Sequence, residues 1–134
     1  MLKPGKTEIE TAMRDAIIEN VMRDAISQLG SNQPDPVTAL NKMLEIKGLD
    51  VSFASKHLRF LFPKYCPTLD SILSFRLGYK PSPRGYGSFV RKCNEIAHEL
   101  NNAKIEIASI FPGQIDWRPS DVEAALFAWV NGWL

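Results

Sequence analysis

Apolar residues recur at helical spacing along most of the chain, and no segment alternates with the period of two that is typical of a strand. From Thr7 to Leu29 a single apolar stripe follows the spacing of an amphipathic helix, and Gly30 ends it. The stripe comprises Ile9, Met13, Ala16, Ile18, Met22, Ala25 and Leu29. Thr7 and Glu10 have the spacing of a capping box. This pattern predicts a long first helix.

Two shorter helices are predicted next. Asp35 is the expected cap of the second helix, which has Pro36 in its first turn and ends at Lys47-Gly48. Asp50 is the expected cap of a third helix that runs from Val51 to about Phe62. Ser52, Ser55, Lys56 and Arg59 fall at helical spacing, which predicts one polar and basic face on this helix.

Three more helices are predicted in the second half of the chain. Thr68 is the expected cap of a helix that reaches about Leu77, and a loop rich in glycine and proline follows at residues 78–87. The next helix is expected over residues 86–102, with a looser stretch up to Pro112. Ser120 and Glu123 have the spacing of another capping box at the start of the last helix. We therefore predict an all-α, compact orthogonal domain of about six helices.

Length and composition indicate one folded domain. The 134 residues, 45% of them hydrophobic, suffice for a core. We expect one unit over residues 1–134, divided into an N-terminal helix and loop (1–35), a hairpin-like helix pair (36–62) and C-terminal helices (63–134). Residues 1–6 lack the apolar core of a signal peptide, and no apolar run approaches the ~18 residues of a bilayer span, so we expect a cytoplasmic protein that does not enter a membrane.

Charge is sorted along the chain although the net charge is only +1. Residues 1–50 contain six Lys/Arg and eight Asp/Glu, and residues 95–134 contain two and six. Residues 51–94 contain eight Lys/Arg and only one acid, Asp70. This central third should therefore create a local positive field, which makes a nucleic acid the expected partner.

Aromatic residues are interleaved with the cations of this central third. The segment from residue 79 to residue 92 has no acid and carries Tyr79, Lys80, Arg84, Tyr86, Phe89, Arg91 and Lys92. Cations bind phosphates and aromatic rings stack on exposed bases, so the segment predicts nucleic-acid binding. The alternative is a solvated loop and helix surface with Phe89 in the core.

The segment from Leu44 to Leu61, with Ile46-Lys47-Gly48-Leu49-Asp50 at its turn, resembles the helix-hairpin-helix of the DNA glycosylase superfamily that carries a Gly/Pro-rich loop and a catalytic aspartate. The following Pro67-Thr68-Leu69-Asp70-Ser71 is similar to the superfamily's Pro-x-Asp-Thr/Ser segment with one residue added. Tyr86-x-x-Phe89, Cys93 to Ala97 and Asp121 to Phe127 resemble the C-terminal helices of prokaryotic 8-oxoguanine-glycosylase-like proteins.

The resemblance implies base excision from DNA, with Asp70 as the catalytic carboxylate and Lys47 and Gly48 at a phosphate-binding hairpin. Two positions depart from the superfamily pattern. Asp50 replaces the second hairpin glycine and would repel a phosphate. Ser52 occupies the position of the Schiff-base lysine, so the resemblance implies hydrolysis without lyase activity. Lys56, one turn further on, is the alternative amine, and a surface Lys56–Arg59 pair is the simpler interpretation.

Asp70 has two interpretations that are compatible with each other. A carboxylate beside the sugar stabilises the positive charge that builds up when a glycosidic bond breaks. A carboxylate in the first turn of a helix is also a common cap. In the catalytic interpretation Ser52, Lys56 and Arg59 line the approach to Asp70, and the remaining cations hold phosphates. These are Lys47, Arg76, Lys80, Arg84, Arg91 and Lys92.

Other residues favour packing over chemistry. Cys66 and Cys93 are expected to be reduced and buried, and with His57 and His98 they match no zinc spacing, so we expect no metal and no cofactor. Trp117, Trp129 and Trp133 are expected to pack, with Trp117 the most exposed of the three. The alternative function is a helical module without catalysis that binds DNA, or binds a protein through its Trp-rich C-terminus. The pattern leaves the oligomeric state open.

Overall fold

The computed structural model describes residues 5–107 and 113–133, and these contain six α-helices and no β-strand. The helices are α1 (Lys6–Leu29), α2 (Pro36–Met43), α3 (Val51–Leu61), α4 (Ser71–Leu77), α5 (Pro83–Asn102) and α6 (Pro119–Val130). The predicted all-α fold is confirmed. Residues 1–4, 108–112 and 134 lie outside the described residues. The expectations for the start of the chain and for the end of the looser stretch fall on these residues.

Helix α1 is capped differently from the prediction and is buried over only part of its length. Gly5 precedes the helix and its N–H donates to Glu8 at 3.3 Å, so Thr7 lies inside the helix and caps nothing. Val21, Ala25 and Leu29 are buried, whereas every residue from 5 to 17 is exposed. The predicted apolar stripe is therefore right for the second half of α1 and wrong for the first. Periodicity alone does not tell which turns of a helix find a neighbour.

Helices α2 and α3 start where the sequence predicts. Asp35 accepts the N–H of Val37 at 3.0 Å, and Asp50 accepts the N–H of Phe53 at 2.9 Å. Helix α2 ends at Met43, four residues before the predicted end, and turns follow to Gly48, whose φ of +87° suits glycine. The two helices pack against each other. Their equivalence to a helix-hairpin-helix stays a prediction.

Helix α5 begins three residues earlier than predicted, at Pro83, because Gly85 belongs to the helix. The hydroxyl of Ser82 caps α5 by accepting the N–H of Gly85 at 3.1 Å. A Cβ atom at Gly85 would lie 1.9 Å from the carbonyl oxygen of Lys80, so only glycine allows this approach of the two backbones. The glycine that we interpreted as a loop breaker is therefore a packing residue.

Helix α6 also starts earlier than predicted, at Pro119. Asp121, and not Glu123, accepts the N–H of the residue before the helix, Arg118, at 2.9 Å. At the other end of the helix the predicted packing of two tryptophans is wrong, because Trp129 is 60% exposed and Trp133 is 70% exposed. Trp117, expected to be the most exposed, is half-buried, and its indole N–H donates to the carbonyl of Ile105.

The core is centred on α2 and α5. Helix α2 contacts α1, α3 and α5, while α6 contacts α4 and α5. The largest buried side chains come from all six described helices and from the segment before α4: Leu29, Leu40, Met43, Leu58, Leu69, Leu73, Tyr86, Phe89 and Val122 among them. Among the described helices, none has the length and apolar character that a membrane span requires.

Candidate nucleic-acid interface and reactive pocket

The segment of residues 66–70, here called the Asp70 link, is held by side chains from three helices. The Tyr86 hydroxyl on α5 donates to the carbonyl of Pro67 at 2.8 Å. Glu123 on α6 accepts the N–H of Thr68 at 2.8 Å, and Ser55 on α3 accepts the N–H of Leu69 at 3.0 Å. Residues 66–69 are buried, so these hydrogen bonds replace water and fix the backbone that presents Asp70.

Asp70 is the cap of α4. Its Oδ1 accepts the N–H of Leu73 at 2.8 Å, and no described residue donates a hydrogen bond to Oδ2. The prediction that Thr68 caps this helix is wrong, because the N–H of Thr68 is buried against Glu123 and α4 begins only at Ser71. Asp70 thus combines the capping position with one carboxylate oxygen left for a ligand.

Asp70 opens into a pocket of about 410 Å³. The pocket is lined by Lys56, Arg59, Phe60, Thr68, Asp70, Glu123 and Phe127. This volume lies within the range of small-molecule sites. The expectation that Asp70 is accompanied by Lys56 and Arg59 agrees with this lining. Here the cluster is called the Asp70 pocket.

Glu123 is a second acid in the Asp70 pocket, and the sequence analysis missed it. It is 7% exposed, and its Oε1 lies 3.0 Å from Nε of Arg59. Burial raises the pKa of Glu123, while the guanidinium of Arg59 and the hydrogen bond from Thr68 act in the opposite direction. The only role that the sequence analysis gave Glu123 was in a capping box, because Glu123 lies one turn after Ser120.

Arg59 is shared between the pocket and the start of α6. Its Nη2 donates to the carbonyl of Ser120 at 3.3 Å, and its Nε pairs with Glu123 by charge without the alignment of a hydrogen bond. Its side chain is 39% exposed. Arg59 therefore ties α3 to α6 and still presents charge to the pocket.

Lys56 reaches the pocket as an exposed amine. Its Nζ lies 5.6 Å from the centre of the Phe53 ring, and it forms no ion pair with a described acid. An amine becomes a nucleophile through desolvation or a neighbouring cation, and burial does not supply that desolvation here. Ser52 is half-buried at the start of α3 and does not line the pocket.

The predicted phosphate hairpin is not part of this pocket. Lys47 and Gly48 are exposed, and Lys47 lines a separate apolar groove beside Met13 and Ile17 of α1. The Asp50 carboxylate caps α3 at the place where a phosphate would meet the helix N-terminus. A carboxylate there repels a phosphate, so the departure noted in the sequence has the expected structural basis.

The cations of the central third line different depressions. Lys80 and Arg84 line one of about 350 Å³ at the start of α5, and Arg76 lines one of about 370 Å³ with Trp129. Arg91 donates to the Ser88 hydroxyl at 3.2 Å. Lys92 pairs with Glu95 at 3.0 Å, which raises the pKa of Lys92. The cations are thus divided among several sites, and only Lys56 and Arg59 accompany Asp70.

The predicted contact of Tyr86 with a nucleic acid is wrong. Its side chain is fully buried, its hydroxyl is used by Pro67, and burial raises its pKa well above the usual value. A buried ring has no face for a base, so Tyr86 positions the Asp70 link and does not contact a nucleic acid. Phe89 is buried as well, in agreement with the alternative interpretation of this segment.

Cys66 and Cys93 are free and buried, as predicted, and burial raises the pKa of each thiol to about 12. Neither thiol is therefore suited to nucleophilic chemistry near neutral pH. Within residues 5–107 and 113–133, no group of three or more His, Cys, Asp and Glu side chains is arranged to hold a metal ion.

Comparison with known proteins adds no relative to this picture. No family model matches the chain, and no curated protein or solved structure matches it significantly.

Proposed function

We propose that this chain binds DNA and hydrolyses the N-glycosidic bond of a damaged base, with Asp70 as the catalytic carboxylate. The observation that carries the proposal is the Asp70 pocket of about 410 Å³. In it the Asp70 carboxylate, with only Oδ1 accepting a hydrogen bond from a described residue, lies beside Lys56 and Arg59. Enzymes that act on a base must take it out of the stack into a pocket. The sequence resemblance to base-excision proteins supports the same assignment.

The chemistry needs little beyond a placed carboxylate and water. When the C1′–N bond breaks, its electron pair leaves with the base and positive charge develops on the sugar, which Asp70 stabilises. The oxygen of a water molecule then bonds to C1′. Its proton passes to the Asp70 carboxylate and from there to the departing base. The products are a free base and an abasic sugar.

Lys56 is assigned to phosphate binding in this proposal. Its amine is exposed, and Ser52 stands where the resemblance places the lysine of lyases. Reduction with borohydride in the presence of an abasic oligonucleotide should therefore trap no covalent complex. A trapped complex that Lys56→Ala abolishes would replace hydrolysis by amine chemistry.

The test compares two capping aspartates. Asparagine caps a helix about as well as aspartate, so Asp70→Asn and the control Asp35→Asn should both fold normally. Base release is measured on duplex and single-stranded oligonucleotides with an oxidised, deaminated or alkylated base. Asp70→Asn should slow release by about 100-fold or more while leaving DNA affinity intact. Asp35→Asn should release base at the wild-type rate.

The proposal fails if the wild-type chain releases no base from any of these substrates, or if Asp70→Asn is as active as the wild type. In the first case a binding module without catalysis remains as the second candidate function. It is favoured by Asp50, which blocks one helix N-terminus that base-excision proteins are expected to use. Steeply salt-dependent DNA binding that Arg84→Ala weakens would support that module.

A further inference from the structure

Five aromatic rings lie along α4 and α6 and beside the Asp70 pocket, and four of them are largely exposed. Phe60 and Phe75 are each 87% exposed, Trp129 is 60% exposed and Trp133 is 70% exposed. Together with Phe127 these residues are here called the aromatic track. Large rings are normally buried, and a group of exposed rings is a candidate binding surface where the rings share one side of the molecule.

The track has two described parts, one at the Asp70 pocket and one near the end of α6. Phe60 and Phe127 line the pocket, and the Phe127 ring meets the Trp133 ring edge-on with centres 5.6 Å apart. Trp129 lies about 200° around α6 from Phe127 and lines the separate depression of about 370 Å³ that also contains Arg76. The guanidinium of Arg76 donates to the carbonyl of Val130 at 3.4 Å, which ties α4 to α6 at this point.

Cations accompany the track at both ends. Lys56 and Arg59 line the pocket, and Arg76 lies beside Trp129. Two acids line the same pocket: Glu123 is paired with Arg59, and Asp70 accompanies Lys56, so Arg76 is the cation of the track whose depression is lined by no described acid. Exposed rings with neighbouring cations fit a partner that offers flat apolar faces and negative charge.

An unpaired nucleic-acid strand offers both features, whereas a duplex hides the faces of its bases. We propose that the aromatic track binds single-stranded DNA, with bases stacked on Trp129, Trp133 and Phe75 and phosphates held by Arg76 and Lys56. The inference rests on the proposed function and specifies its substrate, an unpaired strand that feeds a base into the Asp70 pocket. The Asp50 cap is consistent with this preference, because its carboxylate occupies the helix N-terminus that could otherwise bind a phosphate of a duplex.

The test measures binding of a fluorescent oligonucleotide of about 20 nucleotides, longer than the strand that one small binding domain covers, as a single strand and as a duplex with its complement. The single strand should bind more tightly and should quench tryptophan fluorescence. Trp129→Ala should weaken single-strand binding about tenfold, and Trp129→Phe should retain most of the affinity because a ring remains. Duplex binding should change little in either variant. Met13→Ala, at another exposed apolar residue, is the control.

The outcomes separate this inference from the proposed function. Tighter binding of the duplex, or single-strand binding that Trp129→Ala and Phe75→Ala leave unchanged, would overturn the track while base release at Asp70 stands. Single-strand binding through the track without any base release would instead overturn the catalytic proposal alone. If light scattering shows a dimer that Trp129→Ala and Trp133→Ala dissociate, the track is an interface between two copies of the chain and the inference is wrong.

Discussion

The link before α4 and the link before α5 both end at a capping side chain, Asp70 in the first and Ser82 in the second. The Asp70 link is held by polar side chains from α3, α5 and α6. The second link, residues 78–82, here called the Lys80 link, is held locally: Ser74 donates to the carbonyl of Tyr79, and the Lys80 carbonyl lies close to Gly85.

The difference has consequences for how each link responds to change. Buried hydrogen bonds that include a carboxylate depend on the charge of that group and therefore on pH. A close backbone approach depends only on space. We therefore expect the Asp70 link to be sensitive to the loss of a hydrogen-bonding side chain and to pH, and the Lys80 link to be sensitive to the addition of a single methyl group.

The largest expected effect is that of Gly85→Ala. The new Cβ would lie 1.9 Å from the carbonyl oxygen of Lys80, which can move away only if the Lys80 link moves with it. We therefore expect a loss of about 3 kcal/mol in the free energy of unfolding. Gly87→Ala is the matched control in the same helix. Its Cβ would meet only side-chain atoms, a Val37 methyl group at 3.1 Å and Nη1 of Arg91 at 3.9 Å, and should cost less than about 1 kcal/mol. Urea denaturation measures both. Equal losses would show that the close approach does not hold the Lys80 link.

The next largest effect concerns Glu123. Glu123→Ala leaves the buried N–H of Thr68 without an acceptor, which should cost about 2 kcal/mol of unfolding free energy. Arg59 also loses its partner, but its side chain is 39% exposed and water can hydrate it. Glu123→Gln keeps an oxygen for Thr68 and should cost less than half as much. If the two variants are equally destabilised, the charge of Glu123 and not its hydrogen bond holds the Asp70 link.

Sequence analysis predicted the helices and the caps of α2 and α3, but it placed the caps of α1, α4 and α6 on the wrong residues and missed the long-range ties. The caps at Asp35 and Asp50 were correct, because a cap depends on residues two or three positions away. Asp70 was singled out by charge, since it is the only acid among residues 51–94. Helical spacing predicted the polar face with Lys56 and Arg59, whereas its placement beside Asp70 was only an expectation from the family resemblance.

Three features could be recognised only in the folded structure. The role of Glu123 depends on its hydrogen bond with Thr68, 55 residues away in sequence, and nothing local distinguishes it from a capping residue. Tyr86 and Trp129 were exchanged in the prediction: the ring expected to bind is buried, and the ring expected to pack is exposed. An aromatic residue supplies no sign of its burial until its neighbours are known, which is also why the exposed half of α1 was assigned to the core.

The smallest expected effect, and the one that most directly tests the charge dependence of the Asp70 link, is a pH dependence of stability. Burial raises the pKa of Glu123 above its ordinary value of 4.5, and the charge of Asp70 adds to this, against the opposing effect of Arg59. The native chain therefore holds the proton of Glu123 to higher pH than the unfolded chain does. The stabilisation this gives is fully present below pH 4.5 and is lost as the pH rises through the native pKa.

Glu123→Gln, which has no proton to lose, isolates this contribution, because the other titrating groups are common to both proteins. We expect the stability of the wild type relative to Glu123→Gln to fall as the pH is raised from 4.5 toward neutrality in urea titrations. Asp70→Asn should reduce the fall, since it removes the negative charge that helps Glu123 keep its proton. A relative stability that rises over the same range would mean that the ion pair with Arg59 outweighs burial, and the Asp70 link would then be stabilised, not weakened, by the ionisation of Glu123.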